Sequence, residues 1–436
     1  MKCIKCGTDN KLKDRTTWGG RCSCKKCNHQ FAFEPTAMTG VKITDPMFAK
    51  AIADISVNDT LFFTSRQLFY LLDKRFSLKS SDTLFYTIPG YLSANILVFL
   101  AIFTSGMIPL AGGRLAIFAL LVVNSVLIEK TFTASRSSKY LYKQRQTFAK
   151  NLQNWGKIVL VCGIGISLLF SSYLLFLVSC GLGILAMYLG SREIKRKLGN
   201  SQKFTIDSNQ FQDWINTWTA INTITRMLPP PRDLNASAAV SPDVSAYSFD
   251  RLVVCDRPEI AQFLIANNFH FENNCAVLSI TGYPQSIFDT TMEMLRRNPD
   301  LKVYALHDCS PKGLGLVHHL RTSPNWFPDN SAIIIDIGLL PRQIIAGGGS
   351  MFVLSSQQNA QDAAQLPAEI RQDLFSDELK WLELGNYVEL ESFSPQKLIQ
   401  ILNRGIAGSR DVGSDDSSLI LLGGTESSIY VVDSFG

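Results

Sequence analysis

The rhythm of apolar and polar positions divides the chain into stretches of different texture. Residues 1–36 are polar and lysine-rich, with Phe31 and Phe33 alternating with smaller residues as in a short final strand. Residues 41–80 carry two helical patterns. One follows Asp45-Pro46, where proline suits the first turn of a helix. The other follows Thr64-Ser65, and the turn at 57–60 joins them into a helix-turn-helix or winged-helix unit. Two long apolar blocks follow, 88–128 and 158–189, broken at Ser105-Gly106, at Ala111-Gly112-Gly113-Arg114 and at Ser171-Ser172-Tyr173. A membrane helix needs about 20 residues. Each block is too long for one span and suits two short ones, which predicts two helical hairpins and four spans.

Residues 200–227 set Phe211, Trp214, Ile215 and Trp218 at helical spacing, and the proline- and serine-rich stretch to residue 248 reads as a linker. From residue 249 the texture alternates. Strands are expected at 252–254, 276–280, 303–306 and 332–335, with helices at 259–267, 286–297 and 313–320. That alternation implies a parallel sheet. The expected fold is a multidomain α/β membrane protein. Residues 405–436 hold two apolar bursts, 419–422 and 429–432, in Gly/Ser/Asp-rich sequence and carry no readable role.

Charge orients this plan. The net charge of +5 is too modest to separate DNA from protein partners. Between the apolar blocks lie Lys130, Arg136, Lys139, Lys143, Arg145, Lys150 and Lys157 against the single acid Glu129, and Arg192, Lys195, Arg196 and Lys197 follow the second block. Positive residues stay on the cytoplasmic side, so every soluble part is expected to face the cytoplasm. The spans hold no Asp, Glu or Lys, which argues for an anchor and against a channel or transporter. Their basic flanks suit anionic lipid. No apolar segment with a cleavage site opens the chain, so no secretory signal is expected; the apolar blocks themselves lead to the expectation of an integral protein of the cytoplasmic or inner membrane.

Five of the ten cysteines fall within the first 27 residues. Cys3-Ile-Lys-Cys6 and Cys24-Lys-Lys-Cys27 are two knuckles of the spacing that presents paired thiolates to zinc. A closed set of four sulfurs is structural, and Cys22 is a spare that could compete with Cys24.

Two further phrases carry chemistry. In TSRQLFYLL, spacing alone assigns Phe69, Tyr70 and Leu71 to core packing. The phrase also resembles the winged-helix motif of the topoisomerase VI A subunit and its meiotic double-strand-break relatives. The resemblance implies Tyr70 as the DNA-attacking nucleophile and Arg66 as its cationic neighbour. Further on, LVVCDRPEIAQFL, LSITGYPQ, VYALHDCSPKGL, IDIGLLPRQI and WLELGNYVELESFS are similar, in the same order, to that family's Toprim domain. The likeness covers residues 41–80 and 249–404, with the apolar blocks between them as a departure.

A Toprim site implies one acid ending the first strand and an Asp-x-Asp pair after a later one, together holding magnesium. Here Cys255 stands at the first position with Asp256 after it, and the pair reads Asp308-Cys309-Ser310. In a regular strand a one-residue shift would turn Asp256 to the opposite face. On this stretch alone the plain reading is that Asp308 or Ser310 caps the following helix; the strand order and flanking phrases make Asp308 the remaining acid of a Toprim-like site. Cys255 and Cys309 are open to a zinc or redox role, and His318 and His319 to a phosphate contact or plain packing. The triglycine at 347–349 lacks the Lys-Ser/Thr of a phosphate loop. Three functions remain open: a membrane-anchored protein of this type that binds DNA or a protein partner over a degenerate metal site; an active metal-dependent DNA-cleaving transesterase using Tyr70; and a membrane scaffold that binds proteins. The resemblance further implies an ATPase partner subunit and a homodimer.

Overall fold

The computed structural model describes residues 1–10, 17–18, 21–35, 38, 40–79, 88–104, 114–137, 140, 142–169, 173–195, 201–231, 249–297, 301–327, 332–346 and 351–408. The linker at 232–248, the triglycine and the apolar bursts of the tail lie outside them. The chain forms two compact units. The first joins residues 1–74, 204–347 and 351–436; the second comprises 75–203 with 348–350.

The first unit begins with the cysteine knuckles and a two-residue hairpin, β1 (Thr17–Trp18) with β2 (Arg21–Cys22). Phe31 and Phe33 are both buried but form no strand. Both Asp45 carboxylate oxygens accept from this segment, from the Ala32 and Phe33 amides at 2.9 Å. Asp45 opens helix α1 (Asp45–Ile55), capped by Thr44. The chain reverses through Val57, Asn58 and Asp59, all left-handed, into α2 (Ser65–Lys79).

Two helices did not exhaust this module. The helix over the tryptophans, Ser208–Thr219, buries Phe211, Trp214, Ile215 and Trp218. Trp218 lies 4.9 Å from Phe48 and 5.9 Å from Phe33, and Phe211 lies 5.0 Å from Phe69. The segment expected to lead into a linker therefore completes the core of α1 and α2. Asp73 binds the same segment, accepting from Thr205 and Ile206 amides at 2.6 and 3.0 Å. The whole apolar region is thus an insertion whose two ends are fastened together.

The second unit holds α3 (Ile88–Thr104), α4 (Arg114–Arg136), α5 (Tyr142–Leu169) and α6 (Tyr173–Lys195). Residues 105–113 and 170–172, where the sequence interrupts the apolar blocks, lie outside the described residues. The basic stretch between the blocks is mostly helical, because α4 and α5 run on through it. Among the described residues one segment, Phe176–Ile194, is long and apolar enough by itself to cross a membrane.

A small core of Tyr91, Ile128, Leu152, Trp155 and Ala186 joins these helices. Polar groups pair between them: Asn124 donates to Asn95 at 2.8 Å, Trp155 donates to Asn124 at 3.0 Å, and Tyr91 meets Thr131 at 2.8 Å. Large apolar side chains on all four helices remain exposed, among them Leu97, Val122, Val161, Leu168, Phe176 and Ile184. α5 and α6 touch backbone to backbone: a Cβ on Gly183 would stand 2.8 Å from that of Leu160. Gly183→Leu must push the pair apart. We expect a loss of about 1–3 kcal/mol, read from thermal unfolding in detergent; an unchanged midpoint would show that the close approach is dispensable.

The sheet of the first unit is β3 (Arg251–Cys255), β4 (Cys275–Ser279), β5 (Lys302–Leu306) and β6 (Ile333–Asp336), all parallel in the order β4-β3-β5-β6. One face packs Leu252, Val254, Leu278, Val303 and Ala305 on Met292, Leu295, Leu316 and Leu320. The chain steps one way from β3 to β4 and then returns to the other side for β5. The strand order therefore reverses between β3 and β5, and the carboxyl ends of such a pair form the crevice where α/β sheets take ligands.

Candidate functional site

Asp256-Arg257 follows β3 and His307-Asp308 follows β5, so both pairs lie at that crevice. β3 ends at Cys255. Asp256 has left the pleat and is no longer bound by its alternation; its Oδ2 accepts from the Asp308 amide at 2.8 Å. The expected flip to the far face does not occur. Cys255 is buried instead, as is Cys309, and burial raises both thiols well above their ordinary range, which works against thiolate or redox chemistry.

Asp308 caps no helix. Ser310 does that, accepting from the Gly313 amide at 3.0 Å. Asp308 accepts from the Leu390 amide at Oδ1 (2.6 Å) and pairs with Arg257 Nη2 at Oδ2 (3.0 Å). Burial and the neighbouring Asp256 charge push its carboxyl well above the usual range.

A third segment completes the site. Cys309 and Val388 exchange backbone hydrogen bonds at 2.9 and 3.0 Å, an antiparallel bridge that continues the short pair β7 (Leu354–Ser355) and β8 (Asn386–Tyr387). The bridge delivers Glu389 and Glu391. Glu391 takes Arg257 Nη1 at 2.8 Å and the Thr64 hydroxyl at 2.6 Å. Glu389 takes Arg66 through Nε at 2.8 Å and Nη2 at 3.2 Å, and the Tyr70 hydroxyl at 2.8 Å. In the sequence Glu389 and Glu391 stand inside the phrase WLELGNYVELESFS with no role of their own. Their role was hidden because the bridging residues are some 80 positions apart.

Tyr70 is 4 % exposed and packs against Phe204 and Phe352. Burial and the Glu389 charge raise its phenol well above 10. Both readings of the motif meet here: Tyr70 is a core residue and its hydroxyl belongs to the carboxylate site. Arg66 stays charged because Glu389 outweighs its burial. It also lies 5.3 Å from the Tyr70 ring centroid.

The acids here would be magnesium ligands, but most of their oxygens are engaged. Those of Asp308, Glu389 and Glu391 all hold protein donors, and among the four acids only Asp256 Oδ1 is buried without a partner. Magnesium asks for an octahedron of oxygens. The carboxylates in this arrangement do not fit that demand.

Beside the crevice, His307 is fully buried and bonds Asp336 at 3.1 Å through Nε2 and the Asp308 carbonyl at 2.8 Å through Nδ1. A Cβ on Gly338 would collide with its ring, which is the physical demand behind glycine in the Gly-Leu-Leu-Pro phrase. Burial opposes protonation of His307, but Asp336 outweighs it and lifts the imidazole to about 9. A raised pKa adds stability in full below about pH 6.5, and this is lost as pH rises through about 9. Asp336 is partly open to water, so the amount is on the order of 1–2 kcal/mol. Unfolding midpoints of wild type and His307→Asn should converge between pH 6.5 and 9.5; a constant gap would exclude the charged pair. On the surface, His318 pairs with Glu369 at 3.0 Å.

The second candidate site is the cysteine cluster. The Sγ atoms of Cys3, Cys6, Cys24 and Cys27 all lie within 4.8 Å of one another, with Cys3–Cys27 at 3.6 Å and Cys6–Cys24 at 3.5 Å. Each knuckle closes with the same turn: Gly7 and Asn28, both left-handed, donate to the Cys3 and Cys24 carbonyls at 2.9 Å. Burial works against ionisation of Cys24, but the Lys26 and Cys27 amides and the Asn10 side chain bring it down to about 6. The His29 amide lowers Cys27, yet burial and the other sulfurs push it up to about 12. Four such sulfurs become thiolates together only around a cation, and the four cysteines could hold a metal ion. No other group of three or more His, Cys, Asp or Glu is so gathered among the described residues.

No protein-family model matches the chain, and no curated protein matches it.

Proposed function

We propose that this chain is a membrane-anchored protein of the topoisomerase VI A type that binds DNA or a protein partner at the cytoplasmic membrane face and does not cleave DNA. The observation that carries the reading is the state of Tyr70. A tyrosine nucleophile must reach a phosphate and lose its proton. Tyr70 is buried, raised in pKa and bonded to Glu389. Its likeness to the family's nucleophile survives as a packing and hydrogen-bonding role. The strand order β4-β3-β5-β6, with Asp256 and Asp308 at its reversal, supports a Toprim-like sheet. Helices α1 and α2 with Ser208–Thr219 support a winged-helix-like module.

The cysteine cluster suits zinc. A zinc–sulfur bond of about 2.3 Å places tetrahedral sulfurs about 3.8 Å apart, close to the spacing found. The anchor is four spans. Asp73 holds residues 205 and 206 beside α2, so the inserted helices leave from and return to one side, and the number of crossings is even. The exposed apolar side chains on all four helices suit lipid, and the positive flanks set that side as cytoplasmic.

The test uses the detergent-purified full chain with supercoiled plasmid and magnesium or manganese, with and without a candidate ATPase subunit. We expect plasmid to be retarded without protein-linked breaks. Covalent breaks that vanish in Tyr70→Phe and Asp308→Ala would establish the cleaving enzyme and sink this reading. Failure to bind plasmid would remove DNA and leave the protein partner.

A further inference from the structure

We propose that Arg257 is a built-in cation occupying the divalent-metal position of the crevice, so that its carboxylates form a metal-independent clasp between three distant segments. The inference rests on the Toprim-like reading of the sheet and concerns what that site holds.

Arg257 is the first residue after Asp256. It sits at the N-cap position of helix Pro258–Ala266 but makes no side-chain capping bond there. Its guanidinium is engaged in the crevice instead. Nη2 meets Asp308 Oδ2 at 3.0 Å, from the end of β5, and Nη1 meets Glu391 Oε2 at 2.8 Å, from the segment bridged to Cys309. Glu391 in turn takes the hydroxyl of Thr64, which caps α2. One planar cation with two donor edges thus joins the sheet end, the glutamate segment and the start of α2.

A magnesium ion would need the same oxygens at about 2.1 Å. With Nη1 and Nη2 already on them, guanidinium and metal exclude each other there. Arginine suits such a place because it stays charged when buried and its fork matches carboxylates. The one acid oxygen left over, Asp256 Oδ1, is shielded from solvent and has no partner. Besides Arg257, the cation acting on Asp256 is the His307 imidazolium, while Arg66, the other arginine of the site, is spent on Glu389. The site thus retains the acids of a metal centre and supplies their countercharge from within the chain.

The experiment titrates the zinc-loaded full chain in detergent with Mn2+, read by the loss of free Mn2+ signal in electron spin resonance and by the thermal midpoint. Wild type and Asp308→Asn should give the same titration. Arg257→Ala should bind Mn2+ at least ten-fold more tightly than wild type, and Mn2+ should raise its midpoint. Asp308→Asn added to Arg257→Ala should abolish both, and Arg257→Lys, which keeps the charge, should gain neither. Mn2+ binding in wild type that disappears in Asp308→Asn overturns the proposal. So does a folded Arg257→Ala that gains no affinity. If Arg257→Ala does not accumulate folded, the comparison of wild type with Asp308→Asn decides alone: equal titrations support the proposal. The plasmid assay reports separately, since Tyr70-dependent breaks would sink the non-cleaving reading whatever the Mn2+ titration shows.

Discussion

Cys24→Ser is expected to unfold residues 1–35 as a unit while the four-strand sheet stays intact. Around the cysteines the segment packs only Cys3, Cys24 and Phe31, with Met1, Cys6 and Cys27 partly covered, and its other buried aromatic, Phe33, packs on Phe48 and Trp218 beyond it. A piece below about 40 residues does not bury enough apolar surface to hold itself together. If the metal these cysteines could hold is zinc, as proposed, its binding in such domains contributes on the order of 10–16 kcal/mol, more than a hydrogen bond or ion pair supplies. Removing one thiolate, or stripping the metal with a chelator, should have the same result. The loss would also reach α1, because Asp45 would keep a buried carboxylate without the Ala32 and Phe33 amides. Hydrogen exchange read peptide by peptide checks this. Protection lost over residues 1–35 and kept over β3 to β6 is the expected pattern. Retained protection in the first segment would show that metal does not fold it.

Arg257→Ala should be the most damaging single change at the crevice, at about 3–5 kcal/mol in the absence of added divalent cation. Removing one partner of a buried ion pair leaves the other charge uncompensated, and here one arginine serves two acids. The side chains of Asp308 and Glu391 are 9 % and 3 % exposed, so water does little to replace it. Both carboxyls already sit above their ordinary range, mainly through burial, with Arg257 opposing that rise. Without Arg257 they would take up protons, and the damage should lessen as pH falls. Urea denaturation of the purified chain at pH 5 and pH 8 measures both effects. A loss under about 1 kcal/mol at pH 8 would mean that the two acids are solvated in a way the geometry does not show.

The parallel sheet was legible because each strand is a short apolar run between helical patterns, and β3, β4 and β5 are buried on both faces, while the edge strand β6 is not. The expected strands and helices lie within a few residues of those found. The cysteine knuckles were legible because a two-residue spacer is a local geometric requirement. Asp256 stayed open for a local reason as well: pleat alternation holds only inside a strand, and β3 stops one residue earlier. The tryptophan helix was recognised as amphipathic, but its partners α1 and α2 lie on the other side of the inserted helices.

The sequence by itself determined the elements, the metal-ready cysteines and the acids at the strand ends, since these follow from side-chain period and short spacings. Only the tertiary structure decided what the acids do. Glu389 meets Tyr70 and Arg66 across some 320 residues, and Glu391 reaches Arg257 through a bridge at Cys309. Such pairings are set by how the strand ends and the bridged segment converge, and no local pattern encodes that. The same is true of the apolar insertion. Its apolar texture was visible along the chain, but the fastening of its two ends by Asp73 exists only once the helices have packed.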